Sequence, residues 1–131
     1  MPWYVSSNVY LVPAQTATPA AVLGTTALFA LFLSLTAHLA ARNLLGDVDP
    51  RRALYVGPLP AVVGVVGGAF AVPPAVTVPI AIVLDAGMFR WSYEVEKPRL
   101  IVAMTVVHLV ITVLLSVVIG GVVLLLSTRP T

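Results

Sequence analysis

The sequence predicts an all-α fold, a polytopic transmembrane bundle of four helices in up-down order. Of the 131 residues, 60% are hydrophobic and only 9% are charged, whereas soluble domains average about 25% charged residues. The mean hydropathy is +1.05. Apolar runs of about 20 residues recur along the chain, and about 20 such residues cross a hydrocarbon core of roughly 30 Å. We therefore predict a multi-pass protein of the cell membrane, in contact with the lipid bilayer.

The chain opens with a segment that predicts an irregular extracytoplasmic arm, residues 1–19. This segment contains three prolines and no charge, so it lacks the positive region with which a signal peptide begins. The first span is predicted over 20–41, AAVLGTTALFALFLSLTAHLAA, and stops before Arg42. The loop that follows, RNLLGDVDPRR, carries Asp and Pro, which favour a chain reversal.

The second and third spans are predicted as antiparallel neighbours over 54–72 and 75–91, because the link between them is very short. The second has its first prolines near its start, where a helix tolerates them best. The third is the shortest, and Pro79 should weaken one of its backbone hydrogen bonds. A third segment that only dips into the membrane is the main alternative to a full crossing.

The fourth span is predicted over 100–126 and is long enough to tilt; a short extracytoplasmic tail, 127–131, follows it. The loops after spans one and three contain Arg42, Arg51, Arg52, Arg90, Lys97 and Arg99. With four crossings both loops lie on one side, and only Arg129 lies on the other. The positive-inside rule then places the loops in the cytoplasm and both termini outside.

Small residues on the second span predict a helix-packing face. Gly57, Ala61, Gly64 and Gly68 are spaced by four, three and four residues, so they share one side of a helix. Small residues let two membrane helices approach closely and gain van der Waals contact. The face serves either packing within this bundle or contact with a second copy or another membrane protein.

Three titratable residues lie inside the predicted spans: His38, Asp85 and His108. At a rise of about 1.5 Å per residue they lie about 6, 7 to 8 and 13 Å below the cytoplasmic edge. Arg90 is five residues from Asp85, so the two do not share a helix face. An ionic partner of Asp85 should therefore come from another span, and His38 or His108 can provide it.

A polar stripe on the fourth span accompanies His108. It consists of Thr105, His108, Thr112 and Ser116, which recur at intervals of three and four residues. Such a stripe could conduct protons through ordered water. Ser and Thr also form hydrogen bonds across helices or to their own backbone, which is a structural role. A structural role is also the alternative for Asp85, His38 and His108.

Several kinds of chemistry have no motif here. The chain has no cysteine, which excludes disulfides and thiolate sites. It contains no nucleotide-binding loop, nucleophile motif or HExxH, and no nucleic-acid surface. The acidic residues of the loops alternate with basic residues, and we expect their side chains to be exposed to solvent. We therefore predict no enzyme, no catalytic residue, no metal, no cofactor and no nucleic-acid partner.

Two stretches carry a family resemblance, TAHLAARNLLGDVDPRRALYVG and LDAGMFRWSYEVEKPRLIVAMTVVH. With their arginine-over-lysine bias and alanine- and valine-rich spans, they resemble the small, uncharacterised four-span membrane proteins of halophilic archaea. The resemblance implies an integral membrane protein. It implies no activity and assigns no functional residue.

Three functions stay open from the sequence. The first is a non-enzymatic accessory or scaffold subunit that acts through helix–helix contacts. The second is a small transporter or proton conduit that uses Asp85, His38 and His108. The third is a haem- or quinone-binding membrane subunit.

Overall fold

A computed structural model describes residues 18–129, and this part of the chain is helical without strands. Four α-helices follow in order: α1 (Pro19–Leu45), α2 (Pro58–Ala69), α3 (Pro74–Tyr93) and α4 (Pro98–Ser127). A 3-10 helix (Pro50–Tyr55) precedes α2. The predicted arm, apart from its last two residues, and positions 130–131 of the predicted tail lie outside the described residues.

Each of these helical segments begins at a proline. Proline has no N–H and a fixed φ, so it suits the first position of a helix, where an N–H would have no partner within the helix. At the start of α1 the Thr18 hydroxyl accepts a hydrogen bond from the Ala21 N–H, at 3.0 Å. Local sequence therefore determines where each helix starts.

Two helices run past the charged and aromatic residues at which the predicted spans end. α1 continues through Arg42 to Leu45, and α3 continues through Trp91 to Tyr93. The helices end where the backbone turns to positive φ, at Gly46 (φ 86°) and Glu94 (φ 55°). A residue that prefers the membrane edge does not by itself end a helix, so polarity underestimates helix length here.

Four segments of the described chain are long and apolar enough to cross a membrane. The 3-10 helix and α2 together form the second of them, Pro50–Ala69. α2 alone rises only about 18 Å, because Pro58 lacks the N–H that would continue the helical ladder from the preceding turn. α3 continues through Pro79 for 20 residues, a rise of about 30 Å, which is the length of a crossing and not of a shallow dip.

The four α-helices pack in a ring, in which α1 contacts α2 and α4, and α3 contacts the same two helices. Gly57, the N-cap residue of α2, lies against Ser34 of α1, and Gly64 of α2 lies against Phe29, so these two helices are antiparallel. Four-residue connections separate α2 from α3 and α3 from α4. The chain therefore alternates direction at each connection.

The loops after α1 and α3 lie at the same end of the bundle. The Arg52 guanidinium donates a hydrogen bond to the Ser92 carbonyl at 2.6 Å, and the Ser92 hydroxyl donates one to the Arg52 carbonyl at 2.7 Å. Arg52 also lies 3.8 Å from the Glu94 carboxylate. These contacts join the 3-10 helix to the end of α3.

The apolar core lies at this same end, which we call the packed half. Its buried members are Ala37, Ala40, Ala41, Ala53, Val56, Phe89, Tyr93, Val95 and Met104. Along α1 the buried residues begin at Leu33, and along α4 they end at His108. Beyond these positions the apolar side chains of both helices are mostly exposed, as suits helices that face lipid.

Candidate functional site

Asp85 and His108 form a buried pair between α3 and α4. Asp85 Oδ2 lies 2.7 Å from His108 Nδ1, and the two residues are 4% and 3% exposed. Of the two histidines that the sequence offers as partners, the structure pairs Asp85 with His108. The pair ties together two helices that are also neighbours in sequence.

The two residues lie at the same depth because α3 extends further than the polar residues indicate. The sequence estimate measures Asp85 from Arg90, but the helix ends at Tyr93, which places Asp85 about 12 Å from its end. His108 lies about 15 Å from the start of α4 at Pro98. The difference in depth between the two groups is therefore smaller than the sequence predicts.

The other ring nitrogen of His108 contacts α1. His108 Nε2 lies 2.8 Å from Thr36 Oγ1 and 3.0 Å from the Leu33 carbonyl oxygen. The Thr36 hydroxyl also donates to the Leu33 carbonyl, at 3.0 Å, and the Thr112 hydroxyl donates to Thr36 Oγ1 at 2.9 Å. One hydrogen-bond network therefore joins α1, α3 and α4.

These contacts fix how many protons the pair holds. A carbonyl oxygen only accepts hydrogen bonds, so Nε2 next to Leu33 carries a proton and donates. One further proton must lie between Nδ1 and Asp85 Oδ2, either on the imidazole or on the carboxyl group. Both arrangements leave the pair without net charge, which is the state that a buried, low-dielectric site favours.

The packed half closes one side of the pair. The Phe89 ring meets the His108 ring edge to face, with centroids 5.4 Å apart and an angle of 89°. Phe89 and Met104 are fully buried. Towards the cytoplasmic loops that the sequence predicts, the close-packed side chains of Phe89 and Met104 therefore lie beside the pair.

A cavity of about 230 Å³ lies on the opposite side of the pair. Its walls come from all four α-helices and include Phe29, Pro60, Gly64, Val78, Ile82 and Leu109. Asp85 and His108 form its polar floor together with Thr112. Asp85 Oδ1 is buried and has no hydrogen-bond partner among the described residues, so the site keeps one free acceptor.

His38 does not join the other two titratable residues. It is half-buried and lines a separate cavity beside the 3-10 helix, together with Pro50 and Arg51. Its Nδ1 is buried without a partner in the described part of the chain. Thr36 faces the network, and two residues further along a helix the direction changes by roughly 200°, so His38 points away from it.

The polar stripe of α4 divides between the network and the helix backbone. His108 and Thr112 take part in the network, as described above. Thr105 is buried and donates to the Ile101 carbonyl at 2.9 Å. Ser116 is exposed and donates to the Thr112 carbonyl at 2.6 Å. The hydroxyls of Thr105 and Ser116 therefore form their hydrogen bonds within their own helix.

The small residues of the second span meet different surroundings. A methyl group on Gly57 would overlap the Ser34 hydroxyl and the backbone of α1, and Ala61 is fully buried. A methyl group on Gly64 would touch Phe29 at 3.4 Å, whereas Gly68 has open space around it. Gly67, which lies outside the predicted face, packs against Thr77 of α3.

The sequence interpretation missed Thr36, which holds the α1 side of the network. Thr36, Ala37, Ala40 and Ala41 form a stripe of small buried residues, and this stripe marks the face of α1 that packs closely against α4. Ser34, two residues before Thr36, donates to the Ala30 carbonyl of its own helix at 2.7 Å. The small-residue stripe was the available signal.

The histidines do not form a pair that could ligate one haem iron. Both ring nitrogens of His108 are engaged in hydrogen bonds, and His38 lines another cavity. Residues 18–129 contain no group of three or more side chains that could hold a metal ion. Haem ligation by His108 would require the Asp85 pair to break.

Comparison with known proteins gives a family but no activity. The chain matches the family of unknown function DUF7473 over residues 16–130, which includes all four helices. No curated protein and no solved structure matches it. The archaeal part of the resemblance stays a prediction. Because the match covers most of the chain, the protein belongs to the DUF7473 family.

Proposed function

We propose that the chain is a non-enzymatic, multi-pass protein of the cell membrane that carries protons, alone or with a solute, through Asp85 and His108. The observation that carries this proposal is the buried pair on the floor of a cavity between the helices. Ionisable residues inside a membrane are costly and mark substrate or proton pathways. A shared proton beside a free acceptor is the arrangement that such a pathway needs.

The hydrogen bonds around the pair support transfer over a short distance. An imidazole can accept a proton at Nδ1 and release another at Nε2, so a proton from Asp85 can move through His108 towards Thr36. Beyond this point Phe89 and Met104 are fully buried, and the nearby Thr105 hydroxyl is engaged with the Ile101 carbonyl of its own helix. We therefore propose a carrier that is loaded from the cavity side, and not an open channel.

The orientation belongs to the same proposal. We place both termini outside and the loops after α1 and α3 in the cytoplasm, because these loops carry six of the seven basic residues and basic loops stay inside. The Arg52–Ser92 hydrogen bonds hold the two loops at one end. In this orientation the cavity opens from the pair towards the outer half of the membrane.

Asp85→Asn should abolish proton uptake by liposomes that contain the protein. Asn has the shape of Asp, and its amide can donate to His108 Nδ1, so the bundle keeps its packing while the exchangeable carboxyl proton is lost. A potassium diffusion potential drives proton entry, and a pH-sensitive dye inside the liposomes reports it. The wild-type rate should exceed that of empty liposomes, and the variant should fall to the empty-liposome rate.

Asp47→Asn is the matched control, because it makes the same chemical change at an exposed loop carboxylate. This control should keep the wild-type rate of uptake. If the Asp85 variant acidifies its liposomes as fast as the wild type does, the proton-carrier proposal is wrong.

We propose an accessory or scaffold subunit as the second candidate function, on a separate observation. Gly68 of α2 and the adjacent pair Gly120 and Gly121 of α4 have open space where a side chain would lie. Small residues in membrane helices commonly let a neighbouring helix approach. The two positions lie on helices that do not contact each other, and each offers a separate place for a second copy or another membrane protein to approach.

Gly68→Leu should disrupt this association and leave the fold intact, since a Cβ atom at this position has no described atom within 4 Å. The measurement is the set of proteins that co-purify with the chain after cross-linking in native membranes. Val66→Leu is the control, because Val66 is also exposed on α2 but points in a direction roughly 200° away. Identical cross-linked partners for both variants would remove the accessory hypothesis for this surface.

A further inference from the structure

Asp85 presents one oxygen that is an acceptor wherever the shared proton lies. Oδ2 and His108 Nδ1 are 2.7 Å apart, so the proton of the pair lies between these two atoms. Oδ1 is buried and has no partner within residues 18–129. A buried acceptor without a donor destabilises the folded state, so an O–H or N–H group from outside the chain would bind favourably.

The size of the cavity limits what can supply this donor. The cavity measures about 230 Å³, and an engineered apolar cavity of about 150 Å³ already holds benzene. Apart from its polar floor and Thr77, the side chains that line it are apolar. A ligand with a single ring and a short substituent therefore fits, and its body should be apolar.

The charge of the site limits the donor further. The Asp85–His108 pair has no net charge, because one proton is shared between Oδ2 and Nδ1. A cation or an anion would therefore bring an uncompensated charge into an apolar cavity, which is costly. A neutral hydroxyl group satisfies Oδ1 without this cost.

We propose that the cavity binds a neutral, lipid-soluble phenol whose hydroxyl group donates a hydrogen bond to Asp85 Oδ1. This inference rests on the same site as the proposed function and deepens it, since it names the class of molecule that occupies the site. The ring lies among the apolar side chains from α1, α3 and α4, including Phe29, Ile82 and Leu109. The hydroxyl group reaches the floor.

The test uses 4-ethylphenol and its O-methyl ether, which has a similar ring and substituent but no donor. Binding of each to the wild-type protein in lipid nanodiscs is measured by equilibrium dialysis, and empty nanodiscs give the amount that partitions into lipid. The phenol should bind saturably. The ether should bind about tenfold more weakly, because its oxygen cannot donate to the buried acceptor.

Variants of the cavity locate the binding. Ala81→Phe fills the cavity and should abolish saturable binding, whereas Val83→Phe, at a position 69% exposed on the same helix, should not alter it. Asp85→Leu removes the acceptor and should weaken binding about tenfold. Asp85→Asn retains an acceptor oxygen that is weaker than a carboxylate, so it should weaken binding only about threefold.

The outcomes separate this inference from the proton carrier. Equal binding of phenol and ether, or no saturable binding beyond that of empty nanodiscs, overturns the inference; the second result means that the cavity holds only water or lipid. Saturable phenol binding without proton flux supports the inference and removes the carrier proposal. Proton flux without phenol binding supports the carrier proposal and overturns the inference about the phenol.

Discussion

His108→Leu is expected to lower the free energy of unfolding by about 3 kcal/mol, because removal of one partner of a buried hydrogen-bonded pair leaves the other unsatisfied. Asp85 Oδ2 would lose its partner, and the Leu33 carbonyl and Thr36 on the α1 side would each lose one of their hydrogen bonds. The measurement is reversible unfolding in mixed detergent and dodecyl sulfate micelles, followed by helical circular dichroism. Leucine is similar to histidine in volume, so lost packing contributes little to the expected change.

Asp85→Leu and the double variant complete a thermodynamic cycle. Asp85→Leu should cost about 2 kcal/mol, because the neutral imidazole left behind loses only one hydrogen bond. The double variant should be more stable than the sum of the single effects predicts, with a coupling of about 2 kcal/mol, since two apolar residues then face each other. Strictly additive effects would mean that the pair contributes no interaction energy in the folded bundle.

The fold could be predicted from the sequence because helices long and apolar enough to cross a membrane leave a strong compositional signal. Apolar segments of sufficient length are visible in any window, and prolines at 19, 50, 58, 74 and 98 precede or begin every helical segment that the structure describes. The end of α3 was less visible. Arg90 and Trp91 prefer a membrane edge, yet both are compatible with a helix, so the helix continues to Tyr93.

The candidate site was only partly predictable because depth can be counted along a helix but rotation cannot. Counting residues brings His38, Asp85 and His108 to one half of the membrane. Only packing determines how each helix is rotated about its own axis. Thr36 of α1 faces His108 because the small residues at 36, 37, 40 and 41 allow α1 to pack closely against α4. His38, two positions from Thr36, then faces another side.

The cavity could not be predicted at all, because no single segment creates it. Phe29, Pro60, Val78 and Leu109 belong to four different helices, and the empty space depends on how far these helices diverge above the packed half. Sequence indicates only that Asp85 would face something polar. The free oxygen follows from geometry, since His108 occupies Oδ2 alone.

Gly57→Ala is expected to lower the free energy of unfolding by about 3 kcal/mol, at the upper end of the usual cost of overpacking. A methyl group there would overlap the Ser34 hydroxyl and also the backbone of Ser34 and Ala30, and backbone atoms of a helix cannot rotate away as a side chain can. Gly57 has φ −62° and ψ −43°, a conformation that alanine adopts freely. The cost is therefore steric and does not arise from backbone strain. The same unfolding measurement in mixed micelles gives its size.

Gly68→Ala, within α2 itself, should change the free energy of unfolding in the opposite direction or leave it unchanged. Its methyl group meets open space, and alanine favours a helix over glycine by up to about 1 kcal/mol, so this variant should be as stable as the wild type or more so. The two substitutions are chemically identical. A difference between their free energies of unfolding therefore reports how closely α1 approaches α2 at Gly57. If both variants are equally stable, the two helices do not approach as closely as Gly57 indicates. The contact of Ser34 with Gly57, and with it the close packing of α1 against α2, would then lose its support.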